Sequence, residues 1–280
     1  MKWNWLAAGW VGATCAAAFG HAGPRIYLDI ENGKVMTYEG PYPAPTDFSA
    51  YGDYAPSRVF PGAPPDETTT NGEPDTGILP LHWDDDPSNF STEFPGLQAY
   101  PPGQVAPGTS FSYKIAGEVQ WYDAANERFI PISQALTSNT PFMAVTNDIG
   151  DSTFSSSMYP ESTDTLAFTY NGDPTDHQHL TFTILTPDDY PVNPNVTPHA
   201  EDAPAGIYAL PLIFTSGSNQ PSDTVYLLFG DRGPNLSISQ SLMETEMQTA
   251  IGVANATLVP EPATLALLGA ACPILLRRRR

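Results

Sequence analysis

Between Arg25 and Glu39 apolar residues take every second position, Ile26, Leu28 and Ile30 and then Val35, with Asn32-Gly33 separating the two runs. Side chains two residues apart share one face of a strand, and Asn-Gly supplies the two positive-φ positions of a tight turn, so this stretch predicts a β-hairpin. The even spacing returns at Phe111, Tyr113, Ile115, Val119 and Trp121 and predicts one long strand bent by a bulge at Gly117. Asp123 to Glu127 then turns the chain into a strand from Phe129 to Ile132. Further strands are predicted at Phe142 to Thr146, Leu166 to Tyr170, His177 to Leu185, Gly206 to Thr215 and Thr224 to Phe229. The last two are apolar on both faces, the signature of central strands covered on both sides. Pro211 has no N–H for a ladder, so an edge or a bulge is expected beside it.

A helical period occurs once, in Leu242, Met247, Ala250, Ile251, Ala254 and Leu258, and Ser241-x-x-Glu244 reads as the capping box that starts it. Residues 40–91 are dense in proline, glycine and acids, including Pro61-Gly62-Ala63-Pro64-Pro65, and predict an irregular insertion with one short strand near Ile78 to Leu81. Phe94 to Gly108 reads as turn-rich chain. Many strands, one terminal helix and no alternation of strand with helix point to a mostly β fold, a β-sandwich, with the jelly roll as one form of it.

The two ends of the chain follow other rules. Lys2 begins a basic start, Leu6 to Gly20 is apolar and alanine-rich, and Gly20-His21-Ala22 offers a small-x-small cleavage site, so residues 1–22 read as a secretory signal peptide. Cys15 suggests a lipoprotein, against which Gly12-Ala13-Thr14 lacks the usual leucine or branched residue three places upstream. At the other end Pro260-Glu261-Pro262 precedes an apolar run from Ala263 to Leu276 and four arginines, Arg277, Arg278, Arg279 and Arg280. About 14 residues at about 1.5 Å each reach about 21 Å as a helix, short of a hydrocarbon core of about 30 Å. The arginines would stop transfer and hold that end on the cytoplasmic side.

Proline-flanked glutamate, short apolar segment and basic end together resemble the PEP-CTERM sorting signal of exosortase systems. The resemblance implies recognition through Pro260, Glu261 and Pro262, retention by a short transmembrane helix, orientation by Arg277 to Arg280, cutting near the motif by an exosortase-type enzyme, and delivery to the cell surface or extracellular matrix. An ordinary tail anchor or a buried core helix is the other reading of these residues. A looser pattern also resembles PEP-CTERM surface proteins of the planctomycete kind: the Ile26 hairpin, Phe94-Pro95-Gly96-Leu97, Trp121-Tyr122-Asp123, His177-Gln178-His179, Gly206-Ile207-Tyr208, the Val225 to Phe229 strand and the terminal helix. It implies fold and location and no activity. The expected organisation is a signal peptide at 1–22, a secreted β-sandwich domain at 23–258 and a sorting tail at 259–280.

Both cysteines, Cys15 and Cys272, lie in the targeting segments, so the domain between them has neither disulfide nor thiolate metal site. That domain carries 30 acidic residues against 6 basic ones, a net charge near −24, which repels nucleic acid and anionic lipid and favours divalent cations or cationic partners. Solubility of a secreted protein is the plainer use of such acidity.

His177-Gln178-His179 is the constellation with most chemistry in it. On a strand both imidazoles point one way and can give two ligands to zinc or copper, with a third from Asp176, His82 or His199. Two hydrogen-bonded histidines on a polar strand face, beside Thr181 and Thr183, is the alternative. Asp84-Asp85-Asp86 suggests a calcium loop, yet Asn89 stands where the EF-hand glycine belongs and Pro95 where its glutamate belongs, so a solvated acidic loop competes with it; Asp188-Asp189 reads the same way. Trp83, Trp121, Tyr122 and Tyr113 would suit either a sugar-stacking face or a core. Gly-x-Ser-x-Gly, His-Glu-x-x-His, the phosphate loop and the dinucleotide fingerprint are all missing from the sequence. The expected function is a structural or adhesive protein of the surface or matrix, with no cofactor and not an enzyme. The alternatives are a module binding a divalent metal ion or polysaccharide through the His177/His179 face, and a polysaccharide-active hydrolase.

Overall fold

The computed structural model describes residues 25–39, 55–60, 79–80, 91–92, 96–100, 105–136, 140–147, 149–155, 164–173, 177–185, 204–231 and 238–259. The elements in chain order are β1 (Arg25–Glu31), β2 (Lys34–Glu39), β3 (Ala55–Pro56), β4 (Val59–Phe60), β5 (Leu79–Pro80), β6 (Ser91–Thr92), β7 (Gly96–Ala99), β8 (Ser110–Ile115), β9 (Gln120–Asp123), β10 (Arg128–Pro131), α1 (Ile132–Ala135), β11 (Phe142–Thr146), β12 (Ser152–Phe154), β13 (Thr165–Thr169), β14 (His177–His179), β15 (Thr181–Leu185), β16 (Gly206–Thr215), β17 (Val225–Asp231) and α2 (Gln240–Thr257). The fold is mostly β. Its strands form a first sheet in the order β14-β7-β1-β2-β3, a second built on β10-β9-β16-β17-β4 with β5, β8 and β13 attached, and a third in the order β12-β11-β15-β6.

The predicted hairpin is β1 and β2, and its turn residues Asn32 and Gly33 have φ of 51° and 76°, the positive pair that Asn-Gly accepts at low cost. A loop after β16 clasps this turn. Val35 N donates to Gln220 O at 2.9 Å, Gln220 N donates to Gly33 O at 2.7 Å, and Lys34 pairs with Asp223 at 2.9 Å, which ties the first sheet to the second.

All three sheets supply side chains to one core. Ile26, Leu28, Val35 and Leu97 come from the first, Phe111, Tyr113, Leu210, Leu212, Phe214, Leu227 and Phe229 from the second, and Met143, Val145, Phe182 and Ile184 from the third. The other face of the second sheet turns Val59, Tyr122, Ile207, Ala209 and Leu228 toward Met243, Met247, Ala250 and Ala254 of α2. Strands β16 and β17 are therefore covered on both faces, as their unbroken apolar sequences predict. The helix begins two residues before the expected box. Ser239 is the N-cap, its Oγ accepting from Leu242 N, and Met243 rather than Leu242 takes the buried face. The shift follows from packing, because i, i+4, i+7 and i+11 from Met243 form the stripe that meets the sheet.

The long strand expected from Phe111 to Trp121 is two strands, β8 and β9, laid along the same side of β16. Leu212 faces Ile115, whereas Tyr208 faces Trp121, so residues 116–119 add two positions between them. A two-residue insertion preserves the alternation of faces, which is why the sequence reads as continuous. Ala116 N donates to Pro211 O at 2.9 Å, so the side of Pro211 that lacks a donor faces this interruption, the bulge its sequence calls for.

Residues 40–91 hold more strand than expected. β3 pairs with β2, β4 and β5 lie parallel to β17, and β6 pairs with β15, so this stretch is stitched into all three sheets. Two-residue strands are held by main-chain groups and carry no hydrophobic period. β7, within the turn-rich stretch, and β12 escape prediction for the same reason. The run from His177 to Leu185 also divides: β14 pairs with β7 in the first sheet, while β15 pairs with β11 and β6 in the third, the chain crossing at the buried Leu180. Among the described residues no helix is long and apolar enough to cross a membrane. The expected short transmembrane segment at 263–276 lies outside the described residues.

Tyr113 is fully buried and its hydroxyl donates to Val145 O at 2.9 Å. Burial is the main reason its pKa is pushed up to about 12; a hydrogen bond with Thr153 opposes the rise and Asp151 adds to it. An unfolded tyrosine ionises near 10.0, so above that pH the unfolded chain has shed a proton that the folded chain keeps, and stability falls as pH rises from about 10 to about 12. Thermal scans are expected to show Tm dropping steeply through this window and less steeply in Tyr113→Phe. Equal slopes in both proteins would refute the assignment.

Candidate binding face on the first sheet

The face of the first sheet turned away from the core is polar and aromatic. β14 runs antiparallel to β7 with His177 opposite Gln98 and His179 opposite Gly96; β7 runs parallel to β1 with Gln98 beside Tyr27; β1 faces β2 with Tyr27 opposite Tyr38. Partners across a ladder point to the same side, so His177, Gln98, Tyr27 and Tyr38 form one row across four strands. Asp29 and Tyr100 stand in the next row, Tyr100 N donating to Leu28 O at 2.8 Å as it prolongs β7.

Tyr38 and Tyr100 stack with ring centres 4.5 Å apart at 8°, and the Tyr38 hydroxyl donates to Glu31 Oε1. Burial above all, and then the charges of Asp29 and Glu31, push the Tyr100 hydroxyl above its ordinary pKa. Tyr27 and Gln98 are each 1% exposed and Asp29 3%, so the middle of this face is withdrawn from solvent. Buried polar side chains are held by hydrogen bonds, which makes this layer a specific arrangement and not a wetted surface.

His177 and His179 occupy the edge of the layer and are half-buried. Their rings project to the same side, as the spacing requires, with centres 5.0 Å apart at 73°. Gly96 makes room for the second of them, since a Cβ there would lie 3.3 Å from His179 Cε1. The expected neighbours Thr181 and Thr183 are not on this face. They belong to the third sheet, opposite Thr146 and Ala144, because the crossing at Leu180 keeps the alternation while changing the sheet.

Among the described residues no group of three or more His, Cys, Asp or Glu side chains gathers as a metal cluster. Asp176, His82 and His199, the expected third ligands, lie outside the described residues, as do Asp84, Asp85, Asp86, Asn89, Asp188 and Asp189. So do the sorting residues Pro260, Glu261, Pro262 and Arg277 to Arg280. The aromatic sugar platform is not assembled from its described members. Tyr113 is in the main core, Tyr122 is under α2 with its ring 5.2 Å from Phe129, and Trp121 stands edge-on to Tyr208 at 5.0 Å. Alternation places Trp121 and Tyr122 on opposite faces, so they cannot share a ligand.

Sequence reading passed over Tyr27, Tyr38, Gln98 and Tyr100. A signal was present, since the outward positions of the first hairpin carry Tyr27, Asp29, Glu31 and Tyr38 where lysine or serine would suffice for a wetted face. No family model, curated protein or solved structure matches the chain.

Proposed function

We propose that this chain is an exported protein whose β domain is a structural or adhesive component of the cell surface or extracellular matrix, delivered by the signal peptide at 1–22 and sorted by the PEP-CTERM-like tail. The domain is a β-sandwich in this reading, the second sheet forming one layer and the other two sheets the opposite layer around the shared core. The observation that carries the reading is how the terminal helix closes the domain before the sorting motif. Leu258 and Val259 N both donate to Ala254 O, at 2.9 and 3.3 Å, and both side chains rest against the α2 cluster. Pro260 follows at once, so the apolar run and the arginines begin after the helix has closed the second sheet. The second sheet is already covered by α2 before Pro260, so a tail beyond that point is suited to act as an address and be removed.

Surface sorting would use Pro260, Glu261 and Pro262 for recognition by an exosortase-type enzyme after the secretion machinery has moved the chain, with Arg277 to Arg280 holding the end inside. Extracellular polysaccharide is the partner expected of such a matrix component. Deleting residues 260–280 in the native cells is expected to release the protein from the membrane and surface fractions into the medium without lowering its Tm. An unchanged distribution would end the sorting reading, and a large loss of Tm would show the tail to be part of the fold.

A further inference from the structure

From the geometry of β14 we infer that His177 and His179 form an open two-imidazole chelate for a divalent transition metal of the zinc and copper class. The inference goes beyond export and sorting and does not depend on them. Imidazole nitrogen binds such metals at about 2.0–2.1 Å, and two such ligands at angles of about 90–109° place their ring centres about 4.5–5.2 Å apart. The observed separation is 5.0 Å. The two rings already have the centre spacing of a bound pair, so the strand itself need not move for both imidazoles to reach one ion.

The surroundings favour the same use. β14 is the outer strand of its sheet among the described residues, and both histidines are half-buried, so an ion can reach them from the side. Backbone pairing to Gln98, Leu97 and Gly96 fixes the strand, and the missing side chain at Gly96 leaves space over which the His179 ring lies. The acidic charge of the domain raises the local concentration of cations. With two protein ligands the metal keeps open positions for water or for an oxygen-rich partner such as a carboxylated or hydroxylated polymer, which is how a matrix protein would be cross-linked by an ion.

The test is titration of the purified full chain with Cu2+ and with Zn2+ by calorimetry, with electron paramagnetic resonance of the Cu2+ form. One equivalent of each metal is expected, with nitrogen couplings from imidazole in the Cu2+ spectrum. His177→Ala and His179→Ala are each expected to weaken binding roughly tenfold or more while His82→Ala and His199→Ala leave it within about twofold. Gly96→Leu keeps both imidazoles but pushes the His179 ring, and is expected to weaken binding as well. Circular dichroism of each variant establishes that the fold is intact, and His179→Gln serves where alanine unfolds the chain. Unchanged affinity in the His177→Ala/His179→Ala double variant, or a loss confined to the His82 and His199 variants, would overturn the assignment.

Discussion

Replacing Phe229 with alanine is expected to lower unfolding free energy by about 3–5 kcal/mol. Phe229 is completely buried in β17, and its ring lies 5.2 Å from that of Phe182 at 46°. Phe182 belongs to the third sheet, so this contact joins two sheets. On one side β17 is bonded to β16 and on the other to β4 and β5. Strands held on both edges cannot close inward to fill the space that a missing ring leaves, so the cavity persists and its full cost is felt. Since domains have only about 5–15 kcal/mol in total, the variant should sit close to unfolding. Urea denaturation should show a large drop in midpoint with an unchanged slope. Leu242→Ala, at a residue 50% exposed, is the control and should change stability by no more than about 0.5 kcal/mol. Equal midpoints for the two variants would refute the burial assigned to Phe229.

Gly206→Val is expected to cost about 3 kcal/mol, at the upper end for forcing atoms into a filled core. A Cβ at this position would overlap Cη2 of Trp121 and lie 2.8 and 2.9 Å from two further atoms of the ring. The indole cannot slide along the sheet, because it stands edge-on to Tyr208 with centres 5.0 Å apart and Tyr208 is fully buried. Either the ring swings out to solvent or the start of β16 separates from β9, whose pairing there runs through Tyr208 and Trp121. Trp121→Ala removes the obstacle, so Gly206→Val should cost less in that background, where only the strain of a branched side chain at a φ of 157° remains. A coupling energy of at least about 1 kcal/mol in the double-mutant cycle is expected, and strict additivity would show that the clash is not the cause.

How much of this was legible beforehand depends on the kind of force involved. The first hairpin, β11, β16 and the two-faced burial of β16 and β17 follow from side chains within a few residues of one another, and those are visible in order along the chain. The pairing of His177 with His179 on one side belongs to the same class. Their neighbours do not. Gln98 and Tyr27 reach that row through ladders between segments some eighty and one hundred and fifty residues from the histidines, as the register of β14, β7 and β1 shows, and β7 itself has a sequence, Gly-Leu-Gln-Ala, without a period. Alternation also misled twice in an instructive way. It ran on through residues 116–119, where two extra residues leave parity intact, and through Leu180, where the chain leaves one sheet for another.

Local order in the amino acids settled the strand-rich character, the two turn-forming positions of the hairpin, the faces that had to be buried, the surplus of acid and the unlike composition of both ends, because each is a property of near neighbours or of simple totals. Which strands lie side by side, that α2 seals the second sheet through Met243, and that two tyrosines and a glutamine line up behind His177 were decided only when distant backbone groups found partners. Hydrogen-bond donors and acceptors of the main chain are alike at nearly every residue, so no stretch by itself names the strand it will join.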